Sequence, residues 1–437
     1  MTDDSQIKPV SQKKSTPDAT LDGHYKYYVL FALMIGFALN FLDRQILHIL
    51  LPEIKREFEL SDTVLGLLSG LAFSVFYAIM GLPIASLADR KSRRNVIAVS
   101  MAVWSLFTAL SSASRNFLML FSCRVGVGVG EAGFTPSATS LIADYFPRAS
   151  RTTAISIASL GIPLGTFLGL AIGGGVVETV GWRTTMMLAG LPGLFFAVLV
   201  WATIREPARG LADGTRLSTE EKVPGLLQTA GTLFRLPTFR YIVLGAGLSS
   251  FSLLGISSWM PSLLSRSYGM PISDVGLWLG IVTGSAGAVG LLLSGFVTDK
   301  LSQRDARWAV WLPGMAALLA VPVTAAAFLS DSIAFTLGLY GISYLLGICF
   351  NSPVAAAIQA IVPLNMRSSG IAWNVLMINL VGLGTGPLCI GLLSEELRPI
   401  AAGESLRYAM FLPAGVYLLA AICFALAARN IKAEPAH

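Results

Sequence analysis

Residues 26–51 read KYYVLFALMIGFALNFLDRQILHILL, an apolar run of membrane-spanning length that Asp43 and Arg44 interrupt. A second such run contains Arg124 and Glu131. Each run is long enough to cross about 30 Å of hydrocarbon as a helix. A charge near the centre of a bilayer costs roughly 2.5 kcal/mol or more, so charges retained there indicate a substrate or ion pathway. We therefore expect the function to depend on these four residues.

Composition assigns the chain to the membrane. Of its 437 residues, 54% are hydrophobic and 13% are charged, a balance that a large soluble protein does not sustain. Twelve apolar runs predict twelve helical spans, and they are continuous and too long for the strands of a barrel. The predicted spans are residues 26–51, 63–88, 95–113, 117–142, 152–177, 184–204, 239–264, 275–298, 309–329, 333–361, 369–393 and 408–428.

The loop charges predict the orientation. With the N-terminus inside, 22 of the 31 lysines and arginines fall on the cytoplasmic side, seven fall outside and two lie within spans. The positive-inside rule then predicts that both termini are cytoplasmic. The net charge of +6 follows from this bias and favours contact with anionic membrane lipids over nucleic acid. The polar residues 1–24 lack the apolar core of a signal peptide, so we expect a disordered tail and a multi-pass protein of the cell (inner) membrane.

The second half of the chain echoes the first at an offset of about 210 to 216 residues. Ser61-Asp62 with two following glycines returns as Ser273-Asp274 with two glycines, for example. An internal duplication of this kind predicts an all-α fold with two pseudo-symmetric six-helix bundles and a site at their interface, as an alternating-access transporter needs, although a chance echo of apolar segments is the alternative. The predicted units are the bundles at 25–204 and 239–429, a linker with an amphipathic stretch at 205–238, and a tail at 430–437.

The loop after the second run, residues 85–94, reads ASLADRKSRR. It closely resembles the loop signature of the major facilitator superfamily, although Ala85 and Ser92 stand where that superfamily usually has glycine. The resemblance implies a cytoplasmic latch that forms in one conformer and breaks in the other. The plainer interpretation is that the basic residues merely enforce topology. The predicted gate residues are Asp89, Arg90, Arg94, Asp144, Arg151, Asp299 and Arg367.

Within the superfamily, the chain is similar to the Spinster family of lysolipid and sphingosine-phosphate transporters, in a bacterial form. The passages that carry this resemblance are NFLDR at 40–44, LLSGLAF at 67–73, and Arg124-x-Gly-x-Gly-x-Gly-Glu131-Ala in the fourth run. The resemblance implies proton-coupled or gradient-driven movement of a single-tailed amphiphile. The acids and arginines of spans 1 and 4 would be the working groups.

Helix geometry divides the four charges. Arg124 and Glu131 are seven residues apart, so they share one helix face with about 10 Å between them along the axis. Span 1 runs in the opposite direction, which places Asp43 at the depth of Arg124, and we expect these two to form an ion pair. Glu131 is expected near the bilayer centre without a basic neighbour. Burial disfavours the charged carboxylate, so Glu131 is expected to exchange protons near neutral pH.

These positions lead to a hypothesis about roles. Glu131 and Asp43 are the proton-coupling residues: Glu131 carries the proton, and Asp43 is a competing anion that releases its arginine when substrate binds. Arg124 or Arg44 grips the anionic headgroup. The alternative is a static ion pair with one neutral glutamic acid. The predicted substrate-binding residues are Arg44, Arg124, Glu131, Tyr77, Tyr340 and Asn351.

The second-half counterparts of the four charges are uncharged; they lie near Ser252, Leu253, Tyr340 and Gly347. We therefore expect the central cavity to have one charged wall and one apolar to mildly polar wall. Rival functions are a drug or organic-carboxylate exporter and, less favoured, a channel. No nucleophile and base pair, metal-ligand spacing or nucleotide loop indicates an enzyme. We expect a monomer without a cofactor or metal.

Overall fold

The computed structural model describes residues 23–207, 226–363 and 366–431. The predicted tails, apart from their innermost residues, and most of the predicted linker lie outside these ranges. Within them, eleven helices are long and apolar enough to cross a membrane. The fifth, Thr153–Thr203, has 51 residues, and at 1.5 Å per residue such a helix is about 75 Å long. Gly181, at φ 76° and ψ 165°, divides it into two spans, so the predicted twelve-span fold is confirmed.

Several spans consist of two helices joined at a short break. In the N-terminal bundle, spans 1 to 6 are Gly23–Phe58; Asp62–Ser69 with Leu71–Arg90; Arg93–Ser111; Phe117–Glu131 with Phe134–Tyr145; Arg148–Ser159 with the part of Gly161–Thr203 before Gly181; and the part after it. In the C-terminal bundle, spans 7 to 12 are Pro237–Ser267; Ile272–Ser302; Trp308–Leu329; Ile333–Ile348 with Asn351–Ile361; Arg367–Met377, the π-helix Ile378–Thr385 and Gly386–Ala401; and Leu412–Asn430. A short helix at Leu226–Leu233 lies within the predicted amphipathic stretch.

Polar caps fix where several spans begin. Ser61, Ser92 and Asn116 accept hydrogen bonds from the backbone N–H groups three residues later, at the starts of spans 2, 3 and 4. Such caps satisfy N–H groups that have no partner within the helix. The caps therefore fix the residues at which these spans begin.

Within the described ranges, the two bundles meet most extensively at two crossings, between spans 2 and 11 and between spans 5 and 8. A Cβ atom added at Gly66 would lie 2.6 Å from the carbonyl oxygen of Pro387 in span 11. One added at Gly276 would lie 2.2 Å from the carbonyl oxygen of Leu170 in span 5. Both glycines belong to the repeated Ser-Asp-Gly-Gly pattern. The repeat therefore supplies the small residues that let backbones of opposite bundles approach closely.

We call the face where span 1 begins and span 12 ends the terminal face, and the opposite side the outer face. At the outer face, Asp62 of span 2 accepts hydrogen bonds from Lys55 of span 1 at 2.5 Å, from Arg266 of span 7 at 2.9 Å to each oxygen, and from Ser394 of span 11 at 2.8 Å. We name these four residues the outer latch. Glu178 adds a contact at the other crossing by accepting from the Ser273 N–H at 3.0 Å. These contacts hold the bundles together at the outer face.

Candidate functional site

Arg44 and Glu131 form the closest ion pair among the four intramembrane charges. Arg44 Nε donates to Glu131 Oε2 at 2.6 Å, and the Glu131 side chain is fully buried. The expectation that Glu131 lacks a basic neighbour is therefore wrong. Helical side chains lean toward the N-terminus of their own helix. Arg44 consequently reaches back along span 1, away from the outer face and toward the depth of Glu131.

Asp43 and Arg124 make the pair that the sequence predicts, but a looser one. Arg124 Nη1 lies 3.8 Å from Asp43 Oδ2, and both side chains are almost completely buried. Neither Asp43 oxygen meets hydrogen-bond geometry with a protein group, and Arg124 Nε is likewise unpartnered. This pair is therefore held mainly by Coulomb attraction, which is strong at this depth because little water screens it.

Aromatic rings surround the Arg44 guanidinium. Its Cζ lies 4.7 Å from the ring centre of Phe73, 5.1 Å from that of Phe41 and 5.2 Å from that of Tyr77. Phe73 also lies 5.7 Å from Arg124 Cζ. Cation–π contacts at these distances stabilise a desolvated guanidinium. Because Glu131 is bonded through Nε, the two Nη groups of Arg44 serve other acceptors, among them the Tyr77 hydroxyl.

A cavity of about 330 Å³ adjoins this cluster. Tyr77 and Gly81 of span 2, Thr135 of span 4, and Trp373 and Asn379 of span 11 line it, together with aliphatic side chains. Tyr77 therefore touches both the guanidinium of Arg44 and the cavity. The cavity lies between the bundles, on the terminal-face side of the tight contact between spans 2 and 11.

Tyr340 and Asn351, two predicted substrate-binding residues, do not line this cavity. Tyr340 is buried in the core of the C-terminal bundle, with its ring centre 6.0 Å from that of Tyr344. Asn351 is exposed, and its amide donates to the backbone oxygen of Ile348 at 3.1 Å. Their predicted role in substrate binding stays a prediction that this conformer does not illustrate.

Arg93 and Glu206, which the predicted gate set leaves out, join spans 3 and 4 to the linker. Arg93 forms an ion pair with Asp144, and its Nε donates to Glu206 Oε1 at 2.8 Å. Glu206 also accepts from the Ser92 hydroxyl and from the Arg94 N–H, both at 2.8 Å. Burial alone would raise the pKa of Glu206, but these hydrogen bonds together hold that pKa below its ordinary value.

Several other predicted gate residues make contacts inside their own bundle. Arg94 donates to Asn95, Arg151 to the Ala143 carbonyl at 2.8 Å, and Arg367 to the Val362 carbonyl at 3.5 Å. Asp299 is exposed, and the side chains of Asp89 and Arg90 lie outside the described set. The predicted cytoplasmic latch between the bundles therefore stays a prediction.

Within the described ranges, no group of three or more histidine, cysteine or acidic residues has the arrangement of a metal site. The four cysteines are free. The chemistry of the site is thus that of arginines, carboxylates, aromatic rings and an apolar cavity.

Two six-helix bundles around a largely apolar cavity, with buried charges beside it, define a membrane transporter. The model of the Major Facilitator Superfamily matches residues 33–382, so the chain belongs to that superfamily. A solved bacterial homolog of the human lysosomal transporter Spinster, in an inward-facing and unoccupied conformation, superposes with a TM-score of 0.84 at 30% identity. The alignment covers 94% of this chain and 99% of that one. The protein is a transporter of the Spinster type.

Other similar proteins carry different descriptions. An MFS-type efflux pump of Mycolicibacterium smegmatis is 32% identical over 91% of both chains. A hexuronate transporter of Bacillus subtilis is 26% identical over 64% of this chain and 66% of its own length. The chain is thus a multi-pass membrane transporter, and these bacterial relatives fit the expected cell (inner) membrane.

Proposed function

We propose that this transporter moves an amphipathic organic anion, such as a lysophospholipid or a sphingosine-phosphate-like lipid, by proton-coupled alternating access. The observation that carries the proposal is the position of Arg44. Its guanidinium lies among three aromatic rings, bonded to a buried carboxylate, next to a largely apolar cavity. An anionic headgroup suits the guanidinium, and a hydrocarbon tail suits the cavity.

The headgroup competes with Glu131 for Arg44. A phosphate or carboxylate can take up the planar guanidinium fork bidentately, and Glu131 then loses its partner. A buried carboxylate without a partner favours its protonated form. Substrate arrival and proton uptake are thereby linked at one residue, and Asp43 holds Arg124 close by as a second, looser pair.

Glu131 therefore takes the competing role that the sequence hypothesis gave to Asp43. The reason is geometric, because Glu131 rather than Asp43 is bonded to the arginine that adjoins the cavity. Asp43 remains part of the proposed coupling group through Arg124.

The conformer is closed at the outer latch, while the cavity lies toward the terminal face. In the proposed cycle, the outer latch opens when the gate residues around Asp89 and Arg90 close. The predicted orientation makes the terminal face cytoplasmic.

An exporter of drugs or organic carboxylates on the same scaffold is the second candidate. The similar efflux pump and hexuronate transporter favour it. The aliphatic lining of the cavity favours a substrate with a tail over a small hydrophilic acid. A channel is the least favoured alternative. Saturable uptake without single-channel current would exclude it.

Uptake of a labelled lysophospholipid into proteoliposomes after a pH jump tests the proposal. We expect the wild-type rate to depend on the pH step and Glu131→Gln to lose that dependence, because glutamine cannot exchange the proton. Glu396→Gln makes the same chemical change at an exposed residue of span 11 and should behave as the wild type.

Two results would contradict the proposal. Unchanged pH dependence in Glu131→Gln would remove the coupling role from this residue. Uptake of short organic acids without uptake of lysophospholipid or sphingosine phosphate would favour the second candidate.

A further inference from the structure

Span 11 changes its helical form where it passes the cavity. Eight residues, Ile378–Thr385, form a π-helix between the α-helices Arg367–Met377 and Gly386–Ala401. Long π-helical stretches are rare, and π-turns within helices are frequent at functional sites. This segment is therefore a candidate for more than structural support.

Side chains supply hydrogen bonds to the backbone of this segment. Ser250 of span 7 donates to the Ile378 carbonyl at 3.3 Å, Thr385 to the Val381 carbonyl at 2.5 Å, and the Asn379 amide to the Val375 carbonyl at 2.8 Å. These bonds stabilise carbonyl groups where the regular α-helical pattern is interrupted.

The segment marks the end of the tight contact between the bundles. At its outer-face end, a Cβ atom added at Gly384 would lie 2.6 Å from Ser74 Oγ, and beyond the segment one at Gly391 would lie 2.3 Å from the Asp62 carbonyl oxygen. On its terminal-face side, span 11 leaves span 2 and lines the cavity. Asn379 lies at this boundary.

Asn379 supplies a neutral amide to the same cavity that Tyr77 lines from the other bundle. Its amide nitrogen is bonded to Val375, and its Oδ1 is an acceptor that the backbone contact does not use. The charged donor, Arg44, lies behind Tyr77. A substrate whose headgroup reaches Arg44 therefore extends into the cavity that Asn379 lines.

We propose that the π-helical segment of span 11 positions Asn379 to select substrates with a neutral hydrogen-bond donor, a hydroxyl, between anionic headgroup and tail. The inference rests on the proposed function, because it needs an anionic headgroup at Arg44. It gives the C-terminal bundle a role in substrate specificity, although the counterparts of the four charges in that bundle are uncharged.

Binding of two ligands to protein in nanodiscs tests the inference. Palmitoyl lysophosphatidic acid has a hydroxyl and an ester beside its phosphate, whereas hexadecyl phosphate has neither. We expect the wild type to prefer the first ligand about five-fold, the ratio that one neutral hydrogen bond supports. Asn379→Ala should abolish the preference by weakening the first ligand alone, and Asn379→Ser should keep part of it.

Asn374→Ala is the matched control, since Asn374 lies in the same span, is buried and does not line the cavity. It should keep the wild-type preference. Equal binding of the two ligands by the wild type, or an unchanged preference in Asn379→Ala, would overturn the inference and leave the proposed function standing. Binding of neither ligand by the wild type would overturn both.

Discussion

The two crossings between the bundles share a sequence pattern but differ in their polar contacts. Asp62, at the crossing of spans 2 and 11, is buried and bonded to Lys55, Arg266 and Ser394. Its repeat partner Asp274, at the crossing of spans 5 and 8, is exposed. The backbones thus approach closely at both crossings, whereas the charged outer latch is present only at the crossing of spans 2 and 11 among the described residues.

This difference distinguishes the contacts that pack the helices from the contacts that we expect to control opening. The glycine contacts bring both pairs of helices together in the same way. In the proposed cycle, the outer latch adds an electrostatic lock that must break before the outer face opens. We therefore expect the crossing of spans 2 and 11 to control opening, and the crossing of spans 5 and 8 to act as the hinge.

The largest expected effect comes from Asp62→Asn. The change removes the negative charge and leaves two basic residues close together, so it should cost the closed outer face about 2 kcal/mol. The outward-open population should then rise about thirty-fold. Double electron–electron resonance between labels at Arg115→Cys and Gly403→Cys, with the native cysteines replaced by alanine, measures the opening.

Asp274→Asn is the control for that experiment. Because Asp274 is exposed, the change should leave the label distances as in the wild type. A control variant that opens the outer face as far as Asp62→Asn would refute the division into lock and hinge.

A smaller effect is expected from Gly276→Ala, which tests the feature that both crossings share. Its new Cβ atom would lie 2.2 Å from the Leu170 carbonyl oxygen, and such overpacking costs about 1.5 kcal/mol. Gly284→Ala on the same helix is the control, because its nearest neighbour would be 3.5 Å away. The melting temperature in detergent should fall for the first variant and stay near wild type for the second. Equal melting temperatures would show that span 8 gives way at the crossing.

The smallest effect extends the comparison to the terminal face, through Glu206. Its pKa lies below the ordinary carboxyl value of 4.5, so its stabilising bonds are present above that pH and are lost as the pH falls through the lowered pKa. At pH 7, Glu206→Gln should be about 1 kcal/mol less stable than the wild type, and the two should converge in acid. Thermal unfolding across that range measures the difference, and a constant difference at every pH would contradict the assignment.

Sequence reasoning predicted the spans, the bundles and the Asp43–Arg124 pair because these follow from run length and helix periodicity. It missed the bond between Arg44 and Glu131 because counting Cα depth ignores how far and in which direction an arginine side chain reaches. It missed the outer latch because Asp62 and Ser394 are distant in the chain, and hydrophobicity carries no information about which acid meets which base.

The π-helix and the Glu206 contacts were beyond sequence reasoning for a related reason. A π-turn leaves no distinct mark in an apolar run of glycine, leucine and valine. Glu206 was one charge among many in a polar linker. Its role depends on the start of span 3 lying beside the end of span 6, which tertiary packing alone decides.

Gly181 joins spans 5 and 6 with a single left-handed residue instead of a loop. A side chain is strongly disfavoured at that backbone geometry, and the joint has no slack. Because one residue links the two spans, span 6 must follow a displacement of the end of span 5 to which it is joined. Movement that begins at the hinge crossing must carry the lipid-facing side of the N-terminal bundle with it, which makes the surrounding bilayer a mechanical load on the transport cycle.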